Sequence, residues 1–244
     1  MIEVKNLFAG YKKEPVLRDV SCRFEKGKIT AILGQSGSGK STLVKCFNRI
    51  IEDDGGFING SILIDGEDIF KKKKEELRKE VSIVFQDPLA FPFSILKNIS
   101  FLLEYHKGLS KEGQRKRAVE ILELVGLYDE VSDRLDDKAT KLSGGQKQRL
   151  SIARSLSVDP SLLILDEPCS ALDLKNTLAI EELLVKLKEN YTIIIATHNL
   201  GQAKRIADNI IYLDEGRIIE TAGKDEFFKN PKNELVKIQL EMME

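Results

Sequence analysis

A chain of 244 residues with 38 Lys and Arg against 39 Asp and Glu carries a formal charge of −1. That balance excludes a general nucleic-acid coat, which needs a basic excess, and no apolar run reaches the roughly eighteen residues that span a bilayer. The 42% apolar content and three cysteines without C-x-x-C spacing (Cys22, Cys46, Cys169) point to one large globular domain or a core with a smaller lobe, with no disulfide framework or zinc site.

Residues 1–5 lack the basic-then-apolar pattern of a signal peptide, so a reduced cytoplasmic setting is expected. Residues 1–7 alternate apolar and polar side chains, the pattern of a half-buried strand, and 16–24 do the same. Tyr11 is expected in a short polar loop between them, where its ring could stack on a base or pack on its own domain. After a turn at 25–28, Ile29-Thr30-Ala31-Ile32-Leu33 predicts a short buried strand.

That strand runs into Gly34-Gln35-Ser36-Gly37-Ser38-Gly39-Lys40-Ser41-Thr42, and a helical run leaves it. Strand, glycine loop, Lys-Ser and helix together form a phosphate-binding P-loop. Glycines lack Cβ, so successive backbone N–H groups can curl around an anion, and the helix adds its positive end. Lys40 can reach the β- and γ-phosphates, and Ser41 can place its hydroxyl on a magnesium ion.

Residues 52–56 read as a loop and 60–67 as a strand ending in a turn. The charge run 71–80 reads as a solvated helix with i,i+4 pairs. Residues 81–85 predict a buried strand closed by Gln86-Asp87-Pro88. Residues 89–95 are apolar although two prolines hold them open; such a patch is either tucked under the domain or offered to a partner. Residues 95–140 read as helical, with an amphipathic stretch at 112–127 closed by Gly126, a lobe inserted between strands.

Leu142-Ser143-Gly144-Gly145-Gln146 precedes a helix over about 146–157. Ser143 is a natural N-cap, and two bare glycine amides open the helix, as either a second anion cradle or a plain capped turn. Residues 161–168 form an apolar strand ending in Asp166 and Glu167. In an open parallel sheet, chemistry gathers at the carboxyl ends of strands. Asp166 there would share the P-loop magnesium, and Glu167 would orient or deprotonate an attacking water. An amphipathic helix at 176–189 leads to a buried strand at 191–197 with His198 at its tip. Its imidazole could bond a γ-phosphate and hold the water. His106, in the helical lobe, is given no role, and Cys169 is small filler. A hairpin is expected at 209–220 across Asp214-Glu215, and helices over 224–244.

In this order the motifs resemble the ATP-binding subunit of ABC transporters, over essentially the whole chain. The resemblance pairs 34–42 with Walker A, Leu142-Ser143-Gly144-Gly145-Gln146 with the ABC signature, and 162–167 with Walker B. It pairs Tyr11 with the adenine-stacking loop, Gln86 with the glutamine loop, 170–173 with the loop that crosses between subunits, and His198 with the switch histidine. It implies an α/β fold in a single ABC ATPase domain. A P-loop NTPase core, mainly a parallel sheet with flanking helices, comes from 1–85 and 158–223 and includes an antiparallel β subdomain. A helical subdomain at 87–157 and C-terminal helices at 224–244 complete it. ATP and Mg2+ are the implied cofactors, with the metal held by Ser41, Gln86 and Asp166. Glu167, His198, Lys40 and Gln86 are the implied catalytic set. Tyr11, residues 34–42, and Ser143, Gly144, Gly145 and Gln146 are the implied nucleotide contacts.

The implied partners are a second copy, head to tail, transmembrane permease subunits and, indirectly, a solute-binding protein, at the cytoplasmic face of the cell membrane. No nucleic acid is implied. Phe47-Asn48-Arg49, Phe91-Pro92-Phe93-Ser94-Ile95 and 166–173 most resemble the ATPases of phosphate importers. Leu174 departs, standing where those usually have proline, and Asp87-Pro88-Leu89-Ala90 is spelled differently. An importer ATPase for an amino acid or another oxyanion is the alternative; a non-transport ABC ATPase acting on DNA or ribosomes is the third.

Overall fold

A computed structural model describes residues 1–242. The chain opens with β1 (Ile2–Tyr11) and β2 (Glu14–Phe24), paired antiparallel up to Tyr11↔Glu14. Lys12 and Lys13 alone make the turn, both left-handed at φ 50° and 67°, the twist that suits a two-residue hairpin. Tyr11 is therefore the last residue of a strand rather than part of a loop. It pairs with Gly56 on its other side and is half-buried against the core.

β3 (Ile29–Leu33) feeds the glycine loop and α1 (Lys40–Phe47), followed by α2 (Ile50–Asp53), β4 (Gly56–Ile64) and β5 (Glu67–Asp68). The first sheet has the order β2-β1-β4-β5. α3 (Lys74–Glu80) carries the charge run, but its cations do not form an i,i+4 ladder. Lys74 bridges Glu52 and Asp53 at 3.0 and 2.9 Å, and Arg78 pairs with Asp53, so the run pins α3 to α2.

β6 (Val81–Val84) stops one residue short of the expected strand, leaving Phe85 40% exposed. Then come α4 (Ile95–Lys107), α5 (Lys111–Leu124), α6 (Tyr128–Val131) and α7 (Gly144–Leu156). β7 (Leu162–Asp166), α8 (Leu174–Leu187), β8 (Thr192–Thr197), α9 (Leu200–Ile206), β9 (Asn209–Asp214) and β10 (Arg217–Gly223) follow. α10 (Lys224–Lys229) and α11 (Glu234–Glu241) close the chain. Helix was expected through 244; Met243 and Glu244 lie outside the described residues. The β9–β10 turn falls at Glu215-Gly216, one residue later than expected, because Arg217 pairs with Asp214. Glu215 and Gly216 both take positive φ (44° and 75°), and a Cβ on Gly216 would strike the Val16 carbonyl of β2.

The second sheet has the order β10-β9-β3-β8-β7-β6, parallel throughout except for β10. β3, β7 and β8 are buried at every residue, which is why they read as nearly continuous apolar runs. One core lies between the two sheets around α1, with Phe24 edge-on to Phe47 at 5.4 Å. On the other face, Ile95, Ile99, Ile121, Leu122 and Leu150 of the helices between β6 and β7 join Leu163, Leu165 and Ile195. No helix among the described residues is long and apolar enough to cross a membrane.

Candidate functional site

Strand register builds the site. Leu33 pairs with Thr197, Asp166 with Ala196 and Val84 with Leu165. The carboxyl ends of β3, β8, β7 and β6 therefore align on one edge, bringing the glycine loop, Asp166, Glu167 and His198 to a common rim.

The glycine loop is spatially demanding at two positions. A Cβ on Gly34 would strike the Leu213 carbonyl and the Ser38 hydroxyl. Gly39 sits at φ +106° with its Cβ direction 2.9 Å from Leu17, so only glycine fits. Lys40, the first residue of α1, is 6% exposed. Its Nζ donates to the carbonyls of Gly34 (2.8 Å) and Gln35 (3.0 Å) and lies 3.8 Å from Glu167 Oε1. Burial pushes its pKa below the usual lysine range, while Glu167 and Asp166 pull the other way.

Asp166 is 6% exposed, and its Oδ1 has no hydrogen-bond partner; the buried Ser38 hydroxyl is also unpartnered. Burial raises the Asp166 pKa, opposed by the Ser41 hydroxyl and by Lys40. An orphaned carboxylate oxygen beside a hydroxyl is a donor set suited to a hard divalent cation. An unsatisfied hydroxyl in a ring of amides suits a phosphate. The residues present thus fit both groups of a magnesium nucleotide.

Glu167 is bent out of the strand at φ +48°, a left-handed conformation that costs a non-glycine residue about 1–3 kcal/mol. Its N–H still donates to the Ala196 carbonyl at 2.8 Å. The bend turns the carboxylate to His198, whose Nδ1 lies 2.9 Å away. Glu167 and His198, with Ser170 and Thr197, line a cavity of about 420 Å³. His198 Nδ1 and Lys40 Nζ thus approach one carboxylate.

Ser143 caps α7 in a full capping box. Its hydroxyl accepts from the Gln146 N–H at 3.3 Å, and the Gln146 side chain accepts from the Ser143 N–H at 3.0 Å. Ser143 and Gly144 are exposed. Among the described residues no hydrogen bond joins 143–146 to the glycine loop. Gln86 lies just past β6 and is exposed. The fold thus gathers Lys40, Ser41, Asp166, Glu167 and His198, sets Gln86 exposed just past the β6 end of the same rim, and gives 143–146 no hydrogen bond to the glycine loop.

The apolar stretch at 89–95 is not tucked under the domain: Leu89, Phe91 and Phe93 are 71%, 40% and 38% exposed. Asn98 holds it in shape, a residue the sequence reading passed over. It is fully buried; its Oδ1 accepts from the Phe91 N–H at 3.0 Å, and its Nδ2 donates to the Ser94 and Phe91 carbonyls at 2.9 and 3.3 Å. The available signal was a lone amide in line with Ile95 and Ile99 at helical spacing.

The profile of the family described as ABC transporter matches residues 17–170. The chain belongs to this family. A phosphate import ATP-binding protein of Campylobacter jejuni is 45% identical over 96% of this chain and 95% of its own length. One of Thermotoga maritima is 44% identical over 96% and 95%. A dimeric bacterial ABC transporter cassette superposes with a TM-score of 0.79 at 32% identity, over 92% of this chain and 99% of its own. The same cassette in a post-hydrolysis state, bound to ADP and Pi, superposes with a TM-score of 0.78. The expected P-loop α/β architecture is the one these family members share.

Proposed function

We propose that this chain is the ATP-hydrolysing subunit that energises an importer of inorganic phosphate. The observation that carries the chemistry is the Glu167–His198 contact at 2.9 Å, made beside Lys40 at the mouth of the glycine loop. Whole-length similarity to phosphate import ATP-binding proteins, at 45% and 44% identity, supports the solute.

In this reading the amides of 34–39 and the Lys40 ammonium hold the phosphates, and Tyr11 stacks on the adenine. Ser41, Asp166 and Gln86 would hold Mg2+, which neutralises charge developing on the phosphoryl oxygens. Glu167 takes a proton from the attacking water, and His198 fixes that water and the γ-phosphate. Ser143, Gly144, Gly145 and Gln146 serve the nucleotide of a second copy, head to tail. A C2 pair is self-complementary, so both sites form together. The dimeric cassette relative supports two copies. The helical part at 87–157 carries this turn, and Gln86 with the exposed Phe91 and Phe93 meets permease subunits at the cytoplasmic face. A solute-binding protein acts only through that permease. No part is assigned to nucleic acid.

Solving the protein with a slowly hydrolysed ATP analogue tests the arrangement. Ser143 is expected against the terminal phosphate held by the other copy; a Ser143 remote from every such phosphate rejects it. Uptake measured in cells lacking the chain tests the solute. Loss of phosphate uptake is expected; loss of amino-acid or other oxyanion uptake with phosphate intact rejects it.

A further inference from the structure

We propose that Glu130 is a positioning residue for the turn at 143–145. It reaches from α6 to fix the Gln146 side chain, and through it the Ser143 amide. The inference rests on the two-copy reading above. Glu130 Oε2 accepts from Gln146 Nε2 at 2.9 Å, and Glu130 Oε1 accepts from Arg149 Nη2 at 2.6 Å. Gln146 Oε1 in turn accepts from the Ser143 N–H at 3.0 Å.

A carboxamide has one donor end and one acceptor end. A carboxylate on the donor side leaves only the acceptor to face Ser143. Flipped, the amide would set its NH2 against the Ser143 N–H and its oxygen against the Glu130 carboxylate, two repulsive contacts instead of two bonds. Glu130 therefore decides which way Gln146 points. The Ser143 hydroxyl already accepts from the Gln146 N–H, so its own proton is free to point outward as a donor. The carboxylate itself is anchored. The Arg149 side chain is 10% exposed and its Nε is unpartnered, so its main compensation is Glu130. The Glu130 carboxylate bonds Gln146 and Arg149 and makes no hydrogen bond or ion pair with residues 34–42. It acts by holding a turn rigid that must meet a phosphate across an interface.

The test uses the full chain in a Glu167→Gln background, which holds ATP without cutting it. Sedimentation reads ATP-dependent dimerisation, and ADP binding reads the glycine loop alone. Glu130→Ala is expected to weaken dimerisation about tenfold, the effect of losing about 1.4 kcal/mol. ADP affinity should stay within about twofold. Glu130→Gln keeps the shape and one acceptor and should lose about threefold, which keeps the test usable if the alanine variant misfolds. Adding Glu130→Ala to Gln146→Ala should cost little more than Gln146→Ala alone, since the path runs through Gln146. Parent-like dimerisation in Glu130→Ala, or losses that simply add, overturns the proposal. Ser143→Glu is the control. If it dimerises normally, the two-copy reading is wrong. If it fails to dimerise while Glu130→Ala dimerises normally, only the role of Glu130 is lost.

Discussion

The glycine loop at 34–42 is held from inside the chain, whereas the turn at 143–145 faces out. Around the first, Lys40 is buried and bonded to two carbonyls of its own loop, and Gly34 and Gly39 fit gaps left by Leu213 and Leu17. The orphaned Ser38 hydroxyl and Asp166 Oδ1 wait on the same side. Around the second, the backbone is satisfied by a capping box and Ser143 and Gly144 lie open to solvent. Only Gly145 is hemmed in, its Cβ direction blocked by the Asn176 side chain that Asp173 holds. A cradle with unsatisfied buried groups can take a ligand alone. A satisfied, exposed turn gains a function only when another surface arrives. In the proposed reading, the first is a half-site for tight local binding and the second one for recognition across an interface.

The largest expected effect falls at the inner half. Glu167→Gln keeps the shape and the His198 contact but removes the proposed base. Turnover is expected to drop about 10²–10⁴-fold, the usual worth of a positioned general base, while ATP binding persists and dimers accumulate. Parent-rate hydrolysis would remove Glu167 from the mechanism.

Lys40→Ala separates the halves. In the proposed site its ammonium would make charge-assisted bonds to phosphate of about 1.5–3 kcal/mol each, so ADP affinity should fall on the order of a hundredfold. Ser143→Glu should leave ADP affinity alone and abolish dimerisation. Calorimetric titration of both variants checks this; an equal loss of ADP binding in the two would mean that the halves are not independent.

The inner half was far more legible in the sequence than the outer. β3, β7 and β8 are buried on both faces, so their sequences are nearly continuous apolar runs, and whatever follows them stands on one rim. Lys40, Asp166, Glu167 and His198 could therefore be placed together from strand ends alone. The turn at 143–145 was ambiguous by itself, since a capped helix and an anion cradle have the same letters. Tyr11 was misplaced because two lysines accept left-handed φ without a glycine to announce the turn. The charge run at 71–80 was read as local because sequence spacing cannot reveal that Glu52 and Asp53 stand across from it. Asn98 and Glu130 were missed for a related reason: their partners are set by tertiary approach.

Asn98 supplies the third test, at the surface proposed to meet the permease. Asn98→Ala leaves the Phe91 N–H without its acceptor and removes the side-chain donor to the Phe91 and Ser94 carbonyls, the latter keeping only the backbone N–H of residue 98. About 2 kcal/mol of stability should be lost, or about 4–8 °C in Tm for a chain of this size. Coupling of ATPase to permease should fall more than ATPase of the isolated chain. Ser94→Ala removes only the α4 cap and should cost about 1 kcal/mol with coupling intact. Equal coupling in the two variants would detach Asn98 from the docking surface.

The smallest effect has the opposite sign. Burial holds the Asp166 carboxyl above the usual range, so the folded chain binds this proton more readily than the unfolded one. The resulting destabilisation is present at neutral pH and disappears as pH falls through the folded pKa. Asp166→Asn removes the buried charge while keeping the shape. It should raise the Tm of the nucleotide-free protein by about 2–4 °C at pH 7–8, a gain of about 1 kcal/mol. That gain should shrink as the pH is lowered toward about 4. Adding ATP and magnesium should reverse the order, because ligand that binds the folded parent stabilises it by mass action, and the variant lacks the carboxylate proposed to share the metal. Scanning calorimetry across pH, with and without nucleotide, reads both signs. A variant less stable than its parent without nucleotide at neutral pH would mean that the Lys40 and Ser41 contacts already outweigh the burial of Asp166, and that the inner half-site stores no strain for its ligand to relieve.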